Sequence, residues 1–360
     1  MLFIDPEIVQ DCITRLRGLA DSVGSSTTTD AKCASRYLTD NVQIPMDDSV
    51  GNYPTFRANV AKIPPLLSPK YDTLYARLSA ASDTVATFTS ALESLDRQHA
   101  ENMDSQVVNR YNGPDLPSLP TTSATPGAWV NPADELTPPS EQSPNDLFYQ
   151  LVSILGIGGV GDAVAALIEN LPGIPDLLTN LEQTFGGNWN DAYRCSDALN
   201  KLSKFAASLG DEMNDARLTV GTGWEGDAAE TFNDWMLRLT ASADEFVTPL
   251  AQAASDAANV ASGMQASGNA TATILTTIGI LIIAAVAELL AAPETLGASL
   301  IAEGITVAAI TACIADVAVI CTATGLLVDA LNVSIGLIGD ISLLDGVPVP
   351  EPYNVPLTFF

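Results

Sequence analysis

The 360-residue sequence predicts an all-α fold. It is built of long helical hairpins in a bundle, one of them closed by a Trp-x-Gly turn, with a second, apolar hairpin near the C-terminus. Three observations predict it. Apolar residues recur at intervals of three and four over long stretches, the mark of amphipathic helices. A turn triplet, Trp224-Glu225-Gly226, separates two such stretches. The region from about Thr271 to Ile341 is almost wholly apolar.

The first helix is expected from Pro6 to Val23. Asp5-Pro6-Glu7 supplies an N-cap, an N1 proline and an early acid. Ile8, Cys12, Leu16, Leu19 and Val23 share one face. Met1-Leu2-Phe3-Ile4 has neither a basic n-region nor a long apolar stretch, so no secretory signal peptide is expected. An irregular stretch should follow to Pro69, broken by Pro45, Pro54, Pro64 and Pro65. Tyr71, Leu74, Leu78, Ala81, Val85, Phe88, Leu92, Leu95 and His99 then form a heptad seam. A helix from 69 to about 109 would span roughly 60 Å, and the 187–262 hairpin is its expected partner. Residues 1–111 form the N-terminal helical region.

Residues 112–147 read as a linker, with eight prolines and no basic residue. Such a stretch is expected to be extended or disordered. Gly156-Ile-Gly-Gly-Val-Gly161 superficially resembles a phosphate loop. It lacks the strand, the acid and the Gly-Lys-Ser/Thr that would make it one, and reads as a break between apolar helices.

Residues 148–268 hold apolar helices and the Trp-x-Gly hairpin. Before the turn the stripe is Leu199, Leu202, Ala206, Leu209, Met213, Ala216 and Val220. After it come Phe232, Trp235, Leu239, Phe246 and Leu250. Asp227 and Glu230 have the spacing of a capping box. Gly221, Gly223 and Gly226 would supply positive φ for the turn, and Trp224 would cover the closed end with its ring.

This helical hairpin with Trp224 and Gly226 in its turn resembles the WXG proteins handled by type VII (ESX) secretion. Trp224-Glu-Gly-Asp-Ala-Ala229 looks most like substrates that carry both hairpins in one chain. The resemblance covers about residues 187 to 262. It implies export without a signal peptide, with the type VII machinery as a partner, and a WXG-type partner or self-association. The family also carries a Tyr-x-x-x-Asp/Glu export signal. Tyr111 and Asp115 match it at the end of the long N-terminal helix, and Tyr193 and Asp197 match it again. In the family the signal ends the arm that follows the turn, and no match follows Trp224.

Residues 269–341 form the apolar hairpin. Thr273 to Ala292 is about long enough to cross a bilayer, and Pro293 ends it. Leu296 to Ile338 is interrupted only by Glu303, Asp316 and Asp329. The pair fits either a membrane hairpin or one packed in a soluble bundle. Arg238 is the last basic residue, so the usual orienting flanks of a membrane helix are missing. Glu288, Glu303, Asp316 and Asp329 would be costly in lipid while ionised. They are expected to hold the segment out of a membrane at neutral pH and to release it when protonated. Residues 342–360 are a Pro-rich tail, too short to be an enzyme.

Composition points away from catalysis. Net charge is −28 with pI near 4.1, so nucleic acid is not an expected partner. The five cysteines, at 12, 33, 195, 313 and 321, show no zinc spacing. Cys313 and Cys321 read as core, and Cys12 and Cys33 could pair in an exported protein. The one histidine, His99, lies on the heptad seam rather than beside a nucleophile. Trp224 and Trp235 read as hairpin packing, not a sugar platform. No cofactor and no metal are expected. The resemblance to WXG proteins implies a secreted or envelope helical protein acting by helix packing, self-assembly or membrane contact. The alternative is a delivery module related to polymorphic toxins that lacks a toxic domain.

Overall fold

The computed structural model describes residues 3–27, 32–44, 51–93, 128–141, 147–154, 174–291 and 296–350. Among them the fold is all-α, with a single two-stranded ribbon of two-residue strands. In chain order the elements are β1 (Phe3–Ile4), α1 (Pro6–Val23), α2 (Ala34–Asn41), α3 (Asn52–Val60), α4 (Ile63–Glu93), α5 (Leu147–Ile154) and α6 (Ile174–Phe185). Then come α7 (Asn190–Gly223), β2 (Trp224–Glu225), α8 (Asp227–Asp244), α9 (Val247–Ala291) and α10 (Leu296–Gly339). Short 3-10 turns occupy Pro132–Glu135 and Leu343–Gly346.

Helix α1 begins as its sequence dictates. The Asp5 carboxylate accepts from the Glu7 N–H at 3.0 Å, with Pro6 at N1. Its apolar face, Cys12, Leu16, Leu19 and Val23, is fully buried. It lies between α4 and α7, so the long helix packs chiefly on α1 rather than on the hairpin alone. Further along, α7 packs on α8 and α9, and α9 pairs with α10. One face of α10 closes on α3, α4 and α6.

Several expectations are corrected. Where it is described, the stretch from 24 to 69 is not irregular: it holds α2, α3 and the start of α4, while Pro45 lies outside the described residues. Pro54, Pro64 and Pro65 fall in first turns, where a missing N–H costs no helical bond. The long helix starts at Ile63 and runs through Pro69. Its expected continuation through Leu95 and His99 lies outside the described residues.

The linker is also packed where it is described. Residues 128–141 form a strap across α1, α2 and α7, with Pro132, Ala133, Leu136 and Pro139 buried. Tyr37 Oη donates to the Thr137 carbonyl at 2.9 Å, Lys201 Nζ to that of Pro138 at 2.7 Å, and the Ser140 N–H to Asp197 at 2.8 Å. The backbone polar groups thus find partners on the helices instead of in water.

The arm after the turn is broken. Helix α8 ends at Asp244 and α9 begins at Val247, so Phe246 lies between helices and Leu250 belongs to α9. Pro249 explains the break, because in one continuous helix its ring would meet the Glu245 carbonyl. Helix α9 then runs for 45 residues without interruption through Gly268, roughly 68 Å. The second arm of the Trp-x-Gly hairpin and the apolar segment are therefore one rod.

Candidate functional site: the Trp224 turn and the open face of the C-terminal hairpin

The turn is closed by aromatic packing and by backbone. Trp224 is 5 % exposed. Its ring lies 5.3 Å from Phe88 of α4 and 5.8 Å from Phe232 of α8, within the range of favourable aromatic pairs. Phe232 in turn lies 6.2 Å from Trp235. The indole N–H of Trp224 is buried with no acceptor among the described residues.

The three glycines do different work from that expected. Gly226 alone has positive φ, +127°, and is the N-cap of α8. Asp227 is therefore the first helical residue, and the capping box with Glu230 does not form in that register. Gly221 and Gly223 are still in α7. Gly223 serves close approach: a Cβ there would sit 2.6 Å from that of Ile8. Over this glycine the chain start closes the turn. The Asp5 N–H donates to the Gly223 carbonyl at 2.6 Å. Phe3 pairs antiparallel with Glu225, and Ile4 with Trp224.

The C-terminal hairpin presents the second feature. Leu331, Ile335 and Ile338 of α10 face the core. The opposite face carries Val319, Leu326, Val333 and Leu337, exposed by 45 to 69 %. Ile280 and Ile283 of α9 are exposed by 63 and 69 %. Large apolar side chains in such a row usually mark a contact surface. Asp316 and Asp329 are exposed beside this row. Glu288 and Glu303 fall where side chains are outside the described residues. By length and composition two stretches, Asp227–Ala284 and Val307–Gly346, are apolar enough to cross a membrane. Only 28 and 17 % of their most apolar windows is buried, so most of this surface faces outward.

Other candidate chemistry is sparse. Among the described residues no three His, Cys, Asp or Glu side chains converge as metal ligands. Cys12 and Cys195 are buried, and desolvation pushes both thiols up to about 12; no disulfide joins Cys12 to Cys33. An open cleft of about 440 Å³ is lined by Tyr193, Ser196, Asp197 and Asn200 of α7 and by Ser140 and Ser255. Its carboxylate already accepts from Lys201 at 3.0 Å and from the Ser140 N–H, so nothing there is poised as a base. The Tyr193 and Asp197 motif match is thus on the first turns of α7, with Asp197 occupied. Tyr111 and Asp115 lie outside the described residues.

Among the described residues, Glu212 is a buried acid that holds the strap. Its carboxylate accepts from the Val130 N–H at 2.9 Å and lies 3.9 Å from Arg15. Desolvation pushes its pKa up more than these partners pull it down.

Sequence reasoning did not find the partners that complete the turn. Phe88 was visible only as a core position of the heptad seam. Ile8 and Asp5 were visible only as parts of α1. The pairing of Phe3–Ile4 with the turn has no sequence signal, because two residues of ribbon show no period. No family model, no curated protein and no solved structure matches this chain.

Proposed function

We propose that this is a non-catalytic, exported helical protein, handled by type VII secretion machinery as a WXG-type substrate. It acts in the envelope or outside the cell through apolar contacts of its C-terminal hairpin. The open apolar face of α9 and α10 carries the reading: a row of exposed Val, Leu and Ile serves binding and offers no chemistry. The Trp224–Gly226 turn supports the export route by its resemblance to the WXG turn. Export is tested by following the protein with an antibody in two host strains, one with type VII secretion and one lacking its ATPase. It is expected in the culture medium of the first only. Equal amounts in both media, or none in either, overturn the route.

A second reading, insertion of the hairpin into lipid at low pH, is favoured by one observation. The final 122 residues contain acids but no Lys, Arg or His, so protonation would leave them uncharged. Dye release from phosphatidylcholine vesicles should then begin as the pH falls toward about 4, the range of carboxyl titration. The Asp316→Asn/Asp329→Asn variant should begin at higher pH. Identical profiles for the two proteins would remove this reading.

A further inference from the structure

We infer that the open face of α10 is a self-complementary seam on which a second copy of this chain packs antiparallel. The inference goes beyond the export reading and does not depend on it.

The seam has a centre. From Ala323 toward the C-terminus its exposed residues follow at intervals of three, four, three and four; from Thr322 toward the N-terminus they follow at the same intervals. A helix laid antiparallel about a two-fold axis through this bond sets each residue against a mate. The mates are Ala308 with Leu337 and Ala312 with Val333. Nearer the axis they are Ala315 with Ala330 and Val319 with Leu326. Small side chains gather in the first half and large ones in the second, so at the outer two levels a large residue meets an alanine. That is the size matching that lets two helix faces interdigitate. The face averages about 3.6 residues per step, so it runs straight along a straight helix instead of winding around it.

The acids fit this partner better than they fit lipid. At about 100° per residue, Asp316 lies roughly 70° to one side of the seam and Asp329 roughly 70° to the other. Two-fold antiparallel packing puts the Asp316 of one copy level with the Asp329 of the other, across the seam from it. Both carboxylates stay at the wet edges and do not meet. In a bilayer they would be drawn into hydrocarbon. Between Glu303, Asp316 and Asp329 the charge-free runs are only twelve residues each, against the ~20 needed to span.

The seam is about 44 Å long and a helix about 10 Å wide, so the pair would bury on the order of 900 Å² in total. That is the size of a weak interface. Each copy also carries −28, so association should strengthen with added salt.

The test uses the full chain. Sedimentation velocity from about 1 to 200 µM at 0.15 and 0.5 M salt should show a reversible monomer–dimer equilibrium, tighter at the higher salt. Leu326→Glu should weaken it at least tenfold with the helical circular dichroism unchanged. Position is read by crosslinking. Under mild oxidation Ala323→Cys lies beside its own mate on the axis and should form a disulfide dimer. Val333→Cys is roughly 30 Å from its own copy and should not, giving at least tenfold less dimer than Ala323→Cys and no more than the unsubstituted protein. Val333→Cys mixed with Ala312→Cys should restore the crosslink. A protein that stays monomeric at 200 µM overturns the proposal. So does equal crosslinking of Ala323→Cys and Val333→Cys, a dimer indifferent to Leu326→Glu, or a monomer that floats with phosphatidylcholine vesicles at pH 7.

Discussion

The indole N–H of Trp235 donates to the main-chain carbonyl of Pro348 at 2.9 Å, across 113 positions of sequence. The helix that leaves the Trp224 turn therefore holds the end of the described chain. The Arg77 guanidinium supports the same strand of tail, donating to the Val347 carbonyl at 2.6 Å. Leu344 and Val347 are buried beneath it. Trp235→Phe keeps the ring and removes the donor. It should lower stability by about 1 kcal/mol and speed hydrogen exchange at residues 343–347. Unchanged exchange there would show that the indole does not hold the tail.

The ring of Trp224 should matter more than its N–H. Trp224→Ala removes an aromatic packed between Phe88 and Phe232 and should cost about 3–5 kcal/mol. Trp224→Phe keeps much of the packing and removes a buried donor that has no acceptor among the described residues, so its cost should be well below that. Urea unfolding of the two variants measures the difference. Equal losses would place the stabilisation outside the ring contacts.

Two glycines two residues apart should respond with opposite sign. A Cβ at Gly221 meets open space, so Gly221→Ala should stabilise α7 by up to about 1 kcal/mol through helix propensity. Gly223→Ala drives a methyl into Ile8 and should destabilise by about 1–3 kcal/mol. Ile8→Gly, which removes the Cβ that the new methyl meets first, should be coupled to Gly223→Ala and offset part of that loss. A double-mutant cycle with no coupling would contradict the close approach.

The buried carboxyl of Glu212 should give stability a measurable pH slope. Its folded pKa lies above the unfolded value because desolvation dominates. The folded state thus holds the proton more tightly. The stability linked to this group is complete below about pH 4.3 and is lost as the pH rises through the higher folded value. Repulsion within the acidic chain falls in the same direction, so the comparison must be with Glu212→Gln. The wild-type protein should gain on this variant as the pH falls from neutrality toward the ordinary carboxyl range. A constant difference would mean that the carboxyl titrates alike folded and unfolded.

What was legible in the sequence is what depends on neighbours a few residues away. Helix α1 is cap, proline and stripe, and the structure has it from Pro6 to Val23. The stripe from Leu199 to Val220 is buried throughout. The strap was not legible, because Thr137, Pro138 and Ser140 are held by Tyr37, Lys201 and Asp197 from distant elements. The prolines of α3 and α4 misled because a proline reads alike at a break and in a first turn. The break before Val247 had a local cause in Pro249, but the unbroken apolar stripe hid it. At the turn, Trp224 and Gly226 were found, whereas Phe88 and the Phe3–Ile4 strand reach it through tertiary packing alone.

The ribbon over the turn also fixes an order of events. Phe3, Ile4 and Asp5 leave the ribosome some two hundred residues before Gly223 and Trp224, the groups they bind. Until then the amphipathic face of α1 has α4 to pack on but not α7. Closing so long a loop is slow relative to forming either helix. The turn is consequently sealed only after α7 has been made, later than the packing of α1 on α4. Anything that holds the first five residues before that moment, a fused tag included, would leave α7 and α8 formed but the Trp224 end open.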